Sequence, residues 1–366
     1  MLARGPDRVR AGALCALAIM VPFSDAAAST VAQNVAWTID RPESETSYRI
    51  VSYGDSIFAG YRGSISSVAV WAAPSVDGDY LSAAWGSDVE IIRRSKSGAT
   101  ARQVYEDKIV DDKSWMQEPG TRVVAFEMCG NDALHARNNF SGQGGACDYS
   151  ELDDALADCT SYLSLAMNFI NANAAASVDT KVVTNIYYAG YDEDDVEAGC
   201  TDEASGEHPR KQDVFLPYLM RINWRTCQFA SQKGFRCADS FAQFMGADFD
   251  SNGDGKVDSR ALRFHRGESE DDYARRIGTT LRATIRDSNV HFFRATRTYD
   301  HLQSDDTHPT YIGDTIHLGI LGGSGSGQSG PRFALDRYHR GKTTLWKKYG
   351  HERMGRALSV YNPDSP

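Results

Sequence analysis

The sequence has no CxxC pair, no excess of basic charge and, beyond residue 28, no apolar run long enough to cross a bilayer. Each absence removes a class of protein. Without CxxC spacing there is no framework for a cysteine metal cluster. A formal charge of −10 at pH 7 argues against broad nucleic-acid binding, which needs a basic face. The missing apolar run leaves no transmembrane segment in the mature chain. No internal repeat divides the sequence, so its 366 residues form one large domain or two smaller ones.

What is present is ordinary for a globular protein with a sizeable core: 41% hydrophobic and 24% charged residues. The first 28 residues stand apart. Arg4, Arg8 and Arg10 precede the run AGALCALAIMVPF (11–23), and small residues AAAS (26–29) follow. That is the layout of a secretory leader cleaved after Ala28. Its loss, three basic and two acidic residues, moves the charge from −10 to about −11. Six cysteines then remain: Cys129, Cys147, Cys159, Cys200, Cys227 and Cys237. An even number in an exported chain reads as three disulfides formed outside the cytoplasm, with about fifteen pairings open. The expected location is extracellular or periplasmic.

Extended, apolar runs alternate with helical ones. YRIVS (48–52), VEIIRRS (89–95), TRVVAFEMCGND (121–132, ending in turn residues), TKVVTNIYYAG (180–190) and VHFFRA (290–295) read as strand-like runs, with a short run at RCADSFAQF (236–244). Helices are expected over 150–175, with Ser150 as cap, over 212–234 and over 271–288. This alternation indicates an α/β domain around a mainly parallel sheet. Residues 246–270 interrupt the rhythm as an insertion. GGSGSGQSGP (322–331) reads as a linker to a basic and aromatic tail, giving a leader (1–28), a main domain (29–321) and an extension (322–366).

In parallel sheets, chemistry gathers beyond the carboxyl ends of the strands. There the sequence places Gly54-Asp55-Ser56, then Gly98, then Cys129-Gly130-Asn131-Asp132, and after the last strand Asp305-Asp306-Thr307-His308-Pro309. Taken singly, Gly, Asp and Ser are ordinary turn residues. Taken together they supply a nucleophile, a base, an acid to orient it, and donors for a developing oxyanion. Asp305 and His308 are three apart, so a turn can set the carboxylate beside the imidazole. The other His-Pro, His208-Pro209, has no acid three residues earlier.

These four blocks resemble those of the SGNH (GDSL) hydrolase superfamily over residues 48–320: Gly-Asp-Ser with Gly60 four residues on, the lone Gly98, Gly-x-Asn-Asp at 130–132 preceded by Cys129, and Asp-x-x-His-Pro at 305–309. The resemblance implies a three-layer αβα, flavodoxin-like fold. It implies Ser56 as nucleophile, His308 as general base and Asp305 as its orienting acid. The oxyanion would be held by the N–H groups of Ser56 and Gly98 and the side chain of Asn131. One position departs: Cys129 stands where the family has glycine, and a Cβ is awkward if that residue needs a positive φ. A disulfide there would brace the Asn131 loop.

The family implies a carboxylic-ester hydrolase needing no catalytic cofactor, its substrate a small-molecule, lipid or polysaccharide ester. Fold does not choose among these. The rival class is a secreted binding protein on the same fold without turnover, which absence of Ser56, Asn131 or His308 would have favoured. The insertion adds a separate expectation. Counted from Asp250, it offers oxygens at positions 1, 3 and 5 (Asp250, Asn252, Asp254), Gly255 at 6, the Lys256 carbonyl at 7, Val257 at 8 and Asp258 at 9, resembling an EF-hand calcium loop. Ala261 at position 12 lacks the usual bidentate carboxylate, so a structural Ca2+ would bind weakly, at roughly 10⁻⁴–10⁻³ M, unless Asp248 or Glu268 makes up the number.

Overall fold

The computed structural model describes residues 32–41, 44–60, 72–187, 197–245, 262–285 and residue 358. The leader, the calcium-loop residues Asp250, Asn252, Asp254, Lys256 and Asp258, the strand expected at 290–295, and Asp305 and His308 lie outside them.

Five parallel strands form the centre: β2 (Ser47–Gly54), β3 (Asp88–Lys96), β4 (Thr121–Phe126), β6 (Thr180–Thr184) and β8 (Arg236–Ala238). An additional strand, β1 (Ala32–Ile39), pairs antiparallel with β3 at one edge, giving the order β1-β3-β2-β4-β6-β8. Among the parallel strands the chain starts at β2, steps one way to β3, then the other way to β4, β6 and β8. It therefore reverses direction between β2 and β4, which opens a crevice outside their carboxyl ends.

Helices cover both faces, which is why the central strands are buried almost continuously rather than at alternate residues. In β2 every residue from Ile50 to Gly54 is buried, and in β4 every residue but Arg122. Ile91 of β3 faces α2 (Ala73–Trp85), which approaches so closely that a Cβ on Gly78 would lie 2.3 Å from Ile91 Cδ1. Tyr53 and Arg94, paired across β2 and β3, face the opposite way and both reach Asp112: the Tyr53 hydroxyl donates to its carbonyl at 3.2 Å, and Arg94 makes two 2.8 Å bonds to its carboxylate.

Asp112 follows α3 (Ala101–Val104) and its π-helical continuation (Tyr105–Val110), on which α6 (Ser150–Asn173) packs through Tyr105 against Tyr162 and Phe169. α6 buries Leu152, Leu156, Cys159, Leu163, Met167 and Ile170, a stripe at helical spacing. α7 (Lys211–Lys233) lies beside it, and α9 (Glu270–Ile285) beside α7. The small elements α1 (Ser56–Ala59), α4 (Ser114–Gln117), α5 (Gly130–Ser141), α8 (Ser240–Met245) and the two-stranded pair β5 (Gly145–Ala146) and β7 (Cys200–Thr201) complete the described chain.

The helices expected over 150–175 and 212–234 match within two residues at either end, and α9 begins one residue before the expected 271, its expected end at 288 lying outside the described residues. Ser150 is not the cap of α6; it is the first helical residue, and the Asp148 carboxylate accepts its N–H at 2.9 Å. The cysteines pair as 129–159, 147–200 and 227–237, tying the loop after β4 to α6, β5 to β7, and α7 to β8. No helix among the described residues is long and apolar enough to cross a membrane.

Candidate active site

Three of the four blocks meet at the β2–β4 crevice. Asp55 follows β2 and caps α1, its Oδ1 accepting the Ile57 N–H at 2.8 Å. Ser56 is therefore the first helical residue, almost wholly buried. Gly60 closes the short helix with φ 68°, its N–H reaching the Ile57 carbonyl at 3.1 Å. Beyond β3, the chain turns through Ser97 and Gly98, with the Ala99 N–H on the Lys96 carbonyl at 3.1 Å and Gly98 at φ 74°. Glycine takes that angle without strain.

The third block joins the other two. Asn131, 9% exposed near the start of α5, donates its side-chain amino group to Asp55 Oδ2 at 3.0 Å and to the Ala99 carbonyl at 2.9 Å. Because both neighbours are acceptors, the nitrogen and not the oxygen must face them. Next to it, Asp132 Oδ2 accepts the Ala101 N–H at 2.8 Å, and burial pushes the Asp132 carboxyl up to about 6. The turns after β2, β3 and β4 are thus bonded to one another through two side chains of the Gly-Asn-Asp block. The amino protons of Asn131 are both engaged, so any donation to an oxyanion comes from a shared bond.

Cys129 has φ 82° and is the single non-glycine residue with positive φ among the described residues. The angle suspected from the sequence is present, and Cys129 is bridged to Cys159 on α6. The bridge fixes the chain two residues before Asn131.

Glu127 is a site residue that sequence reasoning passed over. Its backbone N–H extends the ladder to the Tyr53 carbonyl at 3.0 Å. Its Oε1 accepts the N–H groups of Asp55 at 2.7 Å and Phe58 at 3.3 Å. A Cβ on Gly54 would lie 2.4 Å from that oxygen, so Gly54 is glycine because the Glu127 carboxyl occupies its side-chain space. Burial, and next the charge of Asp55, hold Glu127 well above the usual carboxylate range. The signal was an acid directly after the apolar run Val123–Phe126, at the strand's carboxyl end.

No protein-family model matches the chain, and no curated protein sequence does. Solved structures do overlap it. The lipase Lip_vut3 from a goat rumen metagenome is 14% identical with a TM-score of 0.41, over 68% of this chain and 100% of that one. The extracellular lipase of Streptomyces rimosus is 18% identical with a TM-score of 0.38, over 56% of this chain and 85% of that one. Phospholipase A1 of Streptomyces albidoflavus NA297 is 17% identical with a TM-score of 0.40, over 65% and 99%. Overlaps of this size fix neither family nor chemistry.

The residues that bear on the chemistry are those at the crevice. A hydroxyl on a helix start, a glycine turn and a buried amide are held within one hydrogen-bonded unit at the reversal point of the sheet. Asp305 and His308 lie outside the described residues, as do the expected calcium ligands. Glu268, considered for the missing calcium oxygen, gives both carboxylate oxygens to Arg276 at 2.7 Å.

Proposed function

We propose that the chain is an exported serine hydrolase of carboxylic esters. The observation that carries this reading is the bonding of the Ser56 turn, the Gly98 turn and Asn131 into one unit at the β2–β4 crevice. Ser56 attacks the ester carbonyl while His308 takes its proton, and Asp305 orients His308 and stabilises the imidazolium. The tetrahedral oxyanion is met by the N–H groups of Ser56 and Gly98, with Asn131 supporting them. Collapse expels the alcohol, protonated by His308, and leaves an acyl-Ser56 ester. Water then attacks that ester, again deprotonated by His308, and releases the acid. The three disulfides suit the export implied by residues 1–28.

The test is labelling of the mature protein with a fluorophosphonate, alongside a panel of p-nitrophenyl esters, phospholipid and acetylated xylan. Ser56 alone should carry the label, and Ser56→Ala should lose turnover by several orders of magnitude. Label on another residue, or full activity in Ser56→Ala, overturns the assignment; no label and no turnover favours a binding protein.

The same reading gives residues 250–258 a structural Ca2+, held by Asp250, Asn252, Asp254, the Lys256 carbonyl and Asp258 and taking no part in ester cleavage. Asp239, just after β8, accepts the Phe264 N–H at 2.7 Å and so anchors the insertion beyond residues 250–258. Ca2+ would then brace a loop already pinned at its exit. Calorimetry should detect binding, and millimolar Ca2+ should raise the melting temperature; neither effect would retire the site.

A further inference from the structure

The pair of carboxyl groups beneath the Ser56 turn has no part in the proton transfers above. Glu127 Oε1 is already the acceptor for two backbone N–H groups, those of Asp55 and Phe58, which flank Ser56 on either side. Burial, together with the charge of Asp55 beside it, favours the protonated form of the Glu127 carboxyl. Two carboxyl groups can bond only through a proton, since carboxylate oxygens are acceptors alone. Asp55 in turn spends Oδ1 on the Ile57 N–H and Oδ2 on Asn131.

We propose that Glu127 is the positioning residue of the Ser56 turn, its carboxyl group sharing one proton with Asp55 so that the pair sets both the turn and the amino group of Asn131. This deepens the serine-hydrolase reading and rests on it. The geometry gives the pair a mechanical role. The Glu127 carboxyl holds the turn at two of its backbone N–H groups, and Gly54 has surrendered its side-chain volume to that carboxyl. A shift of the turn by a fraction of an ångström moves the Ser56 hydroxyl off its line of attack and the Ser56 N–H off the oxyanion together.

The titratable group facing Glu127 is Asp55, from the β2–α1 side. It is an acid, so the shared proton is retained until well above the ordinary value of 4.5. Its loss as pH rises further sets two negative charges against each other beneath Ser56. Turnover should therefore have an alkaline limb. His308 titrates on the acid side of the profile, so the two limbs are separable.

The experiment compares wild type, Glu127→Gln and Glu127→Ala in kcat and KM across pH, and in melting temperature across pH. A glutamine keeps the carbonyl acceptor for both N–H groups and donates permanently to Asp55. Glu127→Gln should retain most of the wild-type kcat near neutrality and lose the alkaline limb. Glu127→Ala should lose about 10²-fold in kcat with KM little changed. The melts read the pair without reference to turnover. A folded value above the unfolded 4.5 means that wild type sheds stability as pH rises through the folded value, so the advantage of Glu127→Gln should widen with pH. Glu127→Gln as impaired as Glu127→Ala, or melting in parallel with wild type across pH, overturns the proposal. If wild type cleaves no ester but the melts diverge as expected, the shared-proton pair stands and the hydrolase reading falls.

Discussion

Removing the 129–159 bridge separates two energies that act in opposite directions at one residue. Cys129 sits at φ 82° and ψ −14°, where a Cβ costs about 1–2 kcal/mol relative to glycine. Against that, the bridge closes a loop between residues 30 apart, worth about 3.6 kcal/mol by chain entropy at 25 °C. The two variants to compare are Cys129→Ala/Cys159→Ala and Cys129→Gly/Cys159→Ala, both with the other disulfides intact. Each loses the bridge, but only the second relieves the backbone. Glycine also loosens the unfolded chain, which takes back about 0.4–1 kcal/mol. The glycine variant should thus be the more stable of the two, by about 0.8 kcal/mol at the centre of a range of about 0–1.6 kcal/mol, and both should lie below wild type. At roughly 2–4 °C per kcal/mol for a domain of this size, thermal melts resolve the order. If the alanine variant equals or exceeds the glycine variant, the left-handed geometry at 129 carries no strain and the reasoning fails. If the alanine variant melts with wild type, the bridge does not constrain the loop that bears Asn131.

Three further outcomes follow from the same geometry. Gly54→Ala drives a Cβ to 2.4 Å from Glu127 Oε1 and should cost about 1–3 kcal/mol in denaturant melts, with turnover falling as Ser56 is displaced. Asp77, buried in α2 with Oδ1 lacking a hydrogen-bond partner, is pushed up to about 8 chiefly by burial, so its contribution to stability is full below its unfolded value near 3.8 and lost as pH rises through about 8; Asp77→Asn should gain on wild type between pH 6 and pH 9 in melting temperature, and a constant difference would refute this. On the triad reading, kcat/KM falls at acid pH with one titration in the histidine range, and Asp305→Ala is milder than His308→Ala; a crippled Asp306→Ala beside a normal Asp305→Ala would show the acid misassigned.

What could be read in advance depended on whether a residue's role was local. The strands at 48–52, 89–95 and 121–126 announce themselves because each is centred on buried β-branched residues, Ile50-Val51, Ile91-Ile92 and Val123-Val124. β1 does not, because AQNVAWTI becomes a strand only by lying antiparallel along β3, a partner more than fifty residues away. α2 was missed for a different reason. Its buried face includes Ser75, Asp77, Gly78, Asp79 and Ser82, so burial there leaves no hydrophobic stripe to see. α5 is polar for most of its length and buries chiefly Asn131, Ala133, Ala136 and Phe140.

The site divides along the same line. Glycine-dependent turns are written locally, and so Gly54-Asp55-Ser56, Gly98 and Gly130-Asn131-Asp132 could be picked out from the chain alone. The oddity of Cys129 was equally local, and its positive φ and its bridge account for both the Cβ and the sulfur. Glu127 belongs to the other kind. Its meaning lies in Gly54 and Asp55, which precede it by more than seventy positions and meet it only because β2 and β4 are neighbours in the sheet. A glycine at 54 and a glutamate at 127 are each unremarkable, yet each explains the other once the oxygen of one fills the side-chain space of the other. That reciprocity makes Gly54→Ala and Glu127→Gln complementary probes: the first tests the volume of the Glu127 carboxyl and the second its proton. If both disturb Ser56 in the directions given, the turn that carries Ser56 is held from the end of β4 and not by its own four residues.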